Sequence, residues 1–579
     1  MKRIFDFIKK HRWTYIKGVV LLIMINALQL AIPRITGNII DSLQYKTIDT
    51  KGLNIYGIMI IVIALMILVL HYLSRFYLIG AANLFEYNMR NKLFKHLLSL
   101  SMKFFDKKSV GELMALSVND MQAIRMAMMR GIIMIVNTAF LLIASVIILS
   151  STIDVRLTII AFIPFPILII VMLKFGKVIN TRFKMVQQSF ADLTSVAQEN
   201  ISGIRVIKAF AQEEEEVRRF KQTNEKNYQI NMSLVKVQGL FFPLIHFITS
   251  CSFLIALIVG GNMVITGDIT LGDFIAFNSY IGLMIRPIAF IGMIINFIQR
   301  GKASFSRIEQ LFAEPTAQDT SNEKKACNIT KGNIVFQNLT FTYDEKEKPV
   351  LKNIHLDITQ GKTVGIIGKI GSGKSTVANL ILKTYSPCQR GEILIDGIDI
   401  LDIPAQVLRE KVGYVPQENF LFSDTIRENI AFTTQSVSEK AMIHATKISQ
   451  IYDSIALLPK AFDTMLGEKG VNLSGGQKQR ISIARALIKR PDILILDDCL
   501  SAVDTNTEKC LIEGLKQEME EKTCVIIAHR ISTVQYADEI VVLHDGCIVE
   551  KGTHEGLLQK QGHYYEIYQQ QLLDEAINN

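Results

Sequence analysis

The chain has 579 residues, 49% hydrophobic and only 20% charged, with a formal charge of +9. That length allows several domains, and apolar runs long enough to span a bilayer crowd the part before about residue 300, which excludes a wholly soluble protein. The basic residues concentrate in the loops between those runs, as a membrane topology requires, so nucleic acid is not the expected partner.

The first residues, "MKRIFDFIKKHRW", are basic and amphipathic and lack a small-residue cleavage site. They predict an interfacial helix leading into the first span. Six apolar segments follow, near 17–42, 54–80, 131–152, 156–176, 240–265 and 272–298. The loops after the second and fourth are long and basic, with Arg90, Lys92, Lys95, Lys103, Lys107 and Lys108 in one and Lys177, Arg182, Lys184, Arg205, Lys208, Arg218 and Arg219 in the other. "TIDV" after the third and "TGDITLGD" after the fifth are short and nearly free of Lys and Arg. The positive-inside rule therefore places both termini and both long loops in the cytosol. Those loops keep a helical period, so the spans are expected to continue as helices below the membrane. Each has a hinge-like patch, 106–116 and 199–210, that reads as a plain helical turn or as a contact passing motion to the spans.

Polar residues inside spans need a reason. Arg34 and Arg75 lie toward span ends, where they could snorkel. His71, His246 and Asn296 are further candidates, and Arg286, near the middle of the sixth span, should face a wet cavity or a carboxylate. The spans are rich in Met, Ile, Leu and Phe, which suits adaptable apolar binding.

A polar stretch, 314–332, reads as a linker between a membrane domain at 1–313 and a soluble α/β domain at 333–579. Six of the seven cysteines lie in that second half without metal-ligand spacing, consistent with a reduced cytosolic setting. Next, "VGIIGKIGSGKST" runs an apolar strand into Gly368, Lys369, Ile370, Gly371, Ser372, Gly373, Lys374, Ser375 and Thr376, and then into a helical segment. This is a complete P-loop in its strand–loop–helix context. The glycines let backbone N–H groups close around phosphates at the positive end of a helix. Lys374 adds charge on the β- and γ-phosphates, and Ser375 offers a hydroxyl to Mg²⁺. ATP and Mg²⁺ are the expected cofactors. Further on, "ILILDD" ends a buried strand in two carboxylates: Asp497 suits Mg²⁺, and Asp498 stands where a lytic water is oriented.

Between these motifs lies "LSGGQ", residues 473–477. With the P-loop, the aspartate-ended strand and six preceding spans, the whole chain resembles an ATP-binding cassette (ABC) exporter half-transporter of the type IV architecture. The resemblance implies a six-helix all-α transmembrane domain joined to an α/β P-loop nucleotide-binding domain, in a multi-pass protein of the cell membrane. It implies that Tyr343 stacks on adenine, that Gln417 touches Mg²⁺ and senses the membrane domain, and that Glu468 reports to the helical contacts. It further implies that Asp504 crosses a dimer interface, that His529 is the switch histidine near the γ-phosphate, and that 106–116 and 199–210 are coupling helices. Ser474, Gly475, Gly476 and Gln477 would complete the nucleotide site of an opposing chain.

One position departs from the family pattern. Catalytically active members carry glutamate where this chain has Asp498. Aspartate draws the carboxylate back by roughly 1.5 Å, enough to spoil a hydrogen bond that must be about 2.6–3.2 Å long. An intact LSGGQ beside a weakened carboxylate is similar to the aspartate-bearing subunit of heterodimeric multidrug exporters of Gram-positive bacteria. The resemblance implies multidrug efflux with a non-identical partner half-transporter that carries the glutamate; the expected cargo is an amphipathic or hydrophobic small molecule, and membrane lipids are a further expected partner. A lipid or lipid-linked precursor flippase and a homodimer with slow hydrolysis are the nearest alternatives. A mechanical ATPase conflicts with six spans, and a regulatory subunit that binds ATP without turnover is kept open by Asp498. No peptidase-like extension is read before the first span, which weakens a bacteriocin-processing exporter.

Overall fold

A computed structural model of the chain describes residues 2–316, 331–344, 348–387, 389–433, 437–500 and 505–578. It divides into two compact units, Met1–Leu98 with Val110–Glu314, and Ser99–Ser109 with Pro315–Asn579. Most of the expected linker, together with Asp504, lies outside the described residues.

Among its described residues the first unit contains six helices long and apolar enough to cross a membrane: Arg12–Gln44, Thr50–Leu98, Val110–Ile153, Val155–Ser202, Glu213–Thr266 and Leu271–Ala313. A helix satisfies every backbone N–H and C=O within its own segment, which is what a lipid environment demands. The longest has 54 residues, about 80 Å at 1.5 Å per residue. That far exceeds a bilayer core, so the helices run on past the membrane as their period predicts. Leu30, Leu157, Phe277 and Tyr280 are buried in the unit's core. The Tyr280 hydroxyl donates to Leu30 O at 2.7 Å. By contrast, Ile55, Ile58, Ile61, Leu65 and Leu68 of the second helix are exposed, as lipid-facing residues are.

Several polar groups in this unit are cross-linked. Arg34 forms an ion pair with Asp273 rather than only snorkelling. Asp273 also closes the capping box of the sixth helix with Thr270. Buried Asn26 donates to Asn137 Oδ1 at 3.0 Å. Buried Asp120 accepts from Ser304 Oγ at 2.8 Å and from Arg307 Nε at 2.9 Å. Arg75, His246, Arg286 and Asn296 are exposed and His71 is half-buried. No ion pair to Arg286 occurs among the described residues.

Among its described residues the second unit holds ten strands: β1 (Ile334–Phe341), β2 (Leu351–Ile358), β3 (Thr363–Gly368), β4 (Ile393–Ile395), β5 (Ile398–Asp399), β6 (Val412–Val415), β7 (Ile493–Asp497), β8 (Thr523–Ala528), β9 (Glu539–His544) and β10 (Cys547–Gly552). An antiparallel sheet runs β2-β1-β4-β5. A six-stranded sheet runs β10-β9-β3-β8-β7-β6, parallel except for β10. Strands covered on both faces read as unbroken apolar runs, and alternate residues enter opposite cores. Leu494 and Leu496 enter one, Ile493 and Ile495 the other. That explains the four aliphatics before Asp497: the strand is buried on both faces and its end carries the carboxylate to the sheet's C-terminal edge. Ser99–Ser109 belongs to this unit, where the Tyr385 hydroxyl donates to Asp106 at 2.6 Å and Lys107 pairs with Asp344 at 3.0 Å.

Candidate functional site

β3 delivers the chain into the loop 368–373, and the helix Lys374–Ile381 leaves it. Glycine is required at both ends of this loop. A Cβ on Gly368 would lie 2.2 Å from Leu543 O, and Gly373 sits at φ +97. Ile370 at the loop tip is 90% exposed, whereas Ser372 is buried. Among the described residues the Ser372 hydroxyl has no hydrogen-bond partner. A buried hydroxyl with that need, among backbone N–H groups at a helix start, fits a phosphate. Lys374 Nζ donates to Gly368 O and Lys369 O at 2.8 and 2.9 Å, which holds the ammonium across the loop. Burial lowers its pKa, and the carboxylates of Asp498 and Asp497 oppose that.

Ser375 Oγ donates to Asp497 Oδ1 at 3.1 Å. Asp497 is 2% exposed, and burial pushes its pKa above the usual carboxylate range against the pull of Ser375 and Lys374. Among the described residues no three His, Cys, Asp or Glu side chains converge. Mg²⁺ in a phosphate site asks for less, since one carboxylate and one hydroxyl suffice beside phosphate oxygens and water. The hard oxygens of Ser375 and Asp497 fit that donor set.

Asp498 begins the turn after β7 with φ +46, and its N–H is fixed to Ile527 O at 2.8 Å. Asp is among the few non-glycine residues that accept this left-handed conformation. Gln417, two residues beyond β6, is exposed and reaches Asp498 Oδ2 with its amide at 3.4 Å, a long contact. His529 follows β8. Burial first and Lys374 second lower its pKa, while Asp498 raises it. The ring is therefore within charge range of both the P-loop lysine and the carboxylate after β7. Tyr343 is half-buried, packs edge-on against Tyr385 and bonds through its hydroxyl to Thr376 Oγ1 at 2.9 Å. It stands beside the P-loop helix.

The structure keeps the LSGGQ residues apart from this cluster. Ser474 caps the helix Gly475–Leu487, accepting from Gln477 N at 3.3 Å, while Gln477 Oε1 accepts from Ser474 N at 2.9 Å. Gln477 is thus occupied in a capping box, and Ser474 and Gly475 are exposed at a 13-residue helix's positive end. None of the four residues bonds to the P-loop among the described residues. Glu468 opens a single tight turn, Glu468–Gly470.

Two supports escaped the sequence reading. Tyr414 on β6 hydrogen-bonds Asp497, and burial together with that carboxylate raises its pKa. Arg485, on the helix that Ser474 caps, donates to Asn429 O and Phe420 O at 2.7 and 2.9 Å. Burial lowers its pKa to about 10. It ties the LSGGQ helix to the segment after Gln417. The Arg485–Asn429 link spans 56 residues, and no local pattern in the sequence announces it.

Residues 15–288 match the ABC transporter transmembrane region, and residues 351–501 match the ABC transporter family. The chain is 38% identical over 574 residues to a Bacillus subtilis protein named "Probable multidrug resistance ABC transporter ATP-binding/permease protein YheI", covering 99% of this chain and 98% of that one. It is 33% identical to the multidrug resistance-like ATP-binding protein MdlA of Escherichia coli, covering 98% and 95%. It is 37% identical over 491 residues to an ATP-dependent lipid A-core flippase of Syntrophus aciditrophicus, covering 85% and 81%. A solved structure of a bacterial Atm1-family ABC exporter with ATP bound superimposes with a TM-score of 0.80 at 26% identity, covering 97% of this chain and 99% of that one.

Proposed function

This chain belongs to the ABC exporters, multi-pass membrane proteins whose cytoplasmic domain couples ATP hydrolysis to transport, and from that premise we propose that it is one half of a heterodimeric multidrug exporter. The observation that carries the proposal is Asp498 directly after Asp497, in a chain whose Ser474–Gln477 helix start is intact, with Ser474 and Gly475 exposed. Its own P-loop site would bind and hold ATP. The site completed by Ser474, Gly475, Gly476 and Gln477 would turn over on a partner that supplies the glutamate.

In its own site Lys374 would neutralise the β- and γ-phosphates, while Ser375 and Asp497 would hold Mg²⁺ with Gln417 as a third oxygen donor. The metal, when bound, draws charge from the phosphate oxygens. His529 donates a hydrogen bond toward the γ-phosphate, and Tyr343 offers its ring to adenine, a contact worth about 1–3 kcal/mol. Asp504 is assigned the crossing of the dimer interface. Asp498 is anchored through its backbone but is a methylene short of a general base. A positioned base contributes about 10²–10⁴-fold, and that contribution is what this half-site forgoes. The segments 106–116 and 199–210 are assigned to coupling, and the Tyr385–Asp106 hydrogen bond supports the first.

The cargo is read as hydrophobic or amphipathic from the Met- and Ile-rich spans and from the multidrug names of the relatives. One observation favours a second reading. Arg286 is exposed at mid-span with no ion pair among the described residues, and one relative is named a lipid A-core flippase. A fixed cation would suit an anionic lipid headgroup. The test is uptake into inside-out vesicles containing the chain and its partner. Accumulation of a cationic amphipathic dye that survives Arg286→Ala supports efflux. Loss of anionic-lipid translocation alone in that variant supports the flippase.

A further inference from the structure

The turn that carries His529 is gripped from two sides. Gln571 Nε2 donates to His529 O at 2.6 Å, and Gln571 Oε1 accepts from Ile531 N at 2.9 Å. From the other side Glu508, 4% exposed, accepts from Arg530 Nη1 at 3.3 Å and from the Thr533 hydroxyl at 3.1 Å. A primary amide can donate to a carbonyl and accept from an N–H at the same time, as a peptide group does in a strand ladder. Here it fixes the peptide groups flanking Arg530. The direction of the His529 carbonyl is set by that residue's ψ angle, so pinning it pins the backbone from which the imidazole projects.

Gln571 belongs to the helix His563–Asn578 at the end of the chain. That helix is itself anchored. Glu550 of β10 accepts from His563 N and Tyr564 N at 2.6 and 3.0 Å. Tyr564 is fully buried, and its hydroxyl lies 2.7 Å from His554 Nδ1. The helix, anchored at its start, therefore makes a two-pronged contact midway along its length with the turn that carries His529. Nothing in the LSGGQ, P-loop or paired-aspartate motifs accounts for a glutamine at this place.

We propose that Gln571 is a positioning residue: the C-terminal helix uses it to hold His529 toward the γ-phosphate end of the nucleotide, and so sets how strongly this site prefers ATP to ADP. The proposal rests on the role assigned to His529 above. Only the γ-phosphate distinguishes the two nucleotides, so loosening the turn weakens ATP and leaves ADP alone. A helix strut without that role would affect both equally or affect only thermal stability.

The experiment measures Mg²⁺-dependent binding of ATPγS and ADP to the full-length chain in nanodiscs. Gln571→Met removes both bonds at similar volume. Gln571→Glu keeps the acceptor for Ile531 N–H but loses the donor to His529 O. The control is Gln569→Met on the same helix, where the amide bonds the Tyr565 hydroxyl at 3.0 Å. The expected result is an ATPγS-over-ADP preference reduced about fivefold in Gln571→Met, the worth of one net hydrogen bond. Gln571→Glu should lose less and Gln569→Met nothing. An equal loss for both nucleotides, or a lowered melting temperature with the preference intact, overturns the proposal. Should Gln571→Met not fold, Gln571→Glu carries the same test. His529→Ala separates the two levels. If it leaves the preference unchanged, the role of His529 falls. If it abolishes the preference while Gln571→Met does not, only the clasp falls.

Discussion

Asp498 holds two constraints at once, a left-handed backbone and a short carboxylate. Changing it to Glu restores reach but puts a longer side chain in a conformation that Asp tolerates better, and it leaves unchanged the partner's signature loop, which the heterodimer reading expects to be altered and which must also orient the γ-phosphate. Catalysis needs both a base and positioning. The expected gain in ATPase of the assembled pair from Asp498→Glu is therefore under about twofold. Ser474→Ala, which removes an exposed hydroxyl from the helix start assigned to the competent site, should cost at least about tenfold. A large gain from the first together with indifference to the second, in one ATPase assay, would put the working site at this chain's own P-loop and overturn the assignment. Asp497 gives a different kind of test. Its folded pKa is raised by burial, so the native state binds its proton more readily than the unfolded chain does. Nucleotide-free stability should then fall as pH rises above the ordinary carboxylate value through the folded one. Asp497→Asn removes that buried charge. The expected outcome by thermal denaturation at pH 8 is an equal or higher melting temperature without ligand and a much smaller rise on adding Mg²⁺ and ATP. A ligand-induced rise of wild-type size would take Asp497 out of the Mg²⁺ set.

At the level of elements, the spans and the P-loop strand were legible because each is a local pattern. Length and apolarity mark a membrane helix, and a double-faced strand running into glycines marks a phosphate loop. The cross-links between elements were not legible. Asp120 lies more than 180 residues from both Ser304 and Arg307, and Asn26 meets Asn137 across 111. Such pairs obey no spacing rule, because their partners are chosen by the packing of helices. Arg34 shows the same limit. Its place near a span end suggested snorkelling, and the packed helices instead offer Asp273. The P-loop, Asp497 and Asp498 were readable for the same reason the spans were, whereas Tyr414, Arg485 and Gln571 touch the site from strands and helices far along the chain. Asp120→Asn tests whether the cross-links matter energetically. Asp120 is buried while the Arg307 side chain is 53% exposed, so the freed cation can return to water. The expected loss is about 1–2 kcal/mol, below that of a fully buried pair. It would be read as a lower melting temperature in detergent with the ATP affinity of the soluble unit unchanged.

For the whole molecule the question is whether two nucleotide sites in one assembly do different work. If they do, the chain alone should hydrolyse ATP poorly, since a pair of identical chains would carry Asp498 at both sites, and adding the partner should restore turnover. Lys374→Ala then discriminates further. Lys374 is buried and bonded to the loop through two carbonyls, so its loss removes a phosphate contact and leaves those carbonyls in want of a donor. Nucleotide should bind this chain's own site more weakly. The opposing site keeps its own P-loop lysine and still receives Ser474–Gln477 from this chain, so hydrolysis by the pair should fall only in part. The comparison is with a pair mutated at the partner's glutamate, which should be inert because a hydrolysing site loses a base worth about 10²–10⁴-fold. Equal inertness of the two variants, in the same ATPase measurement, would mean that both sites must fire in turn. Asp498 would then be a slow base in a working site, and an obligate division into a holding half and a hydrolysing half would not describe this exporter.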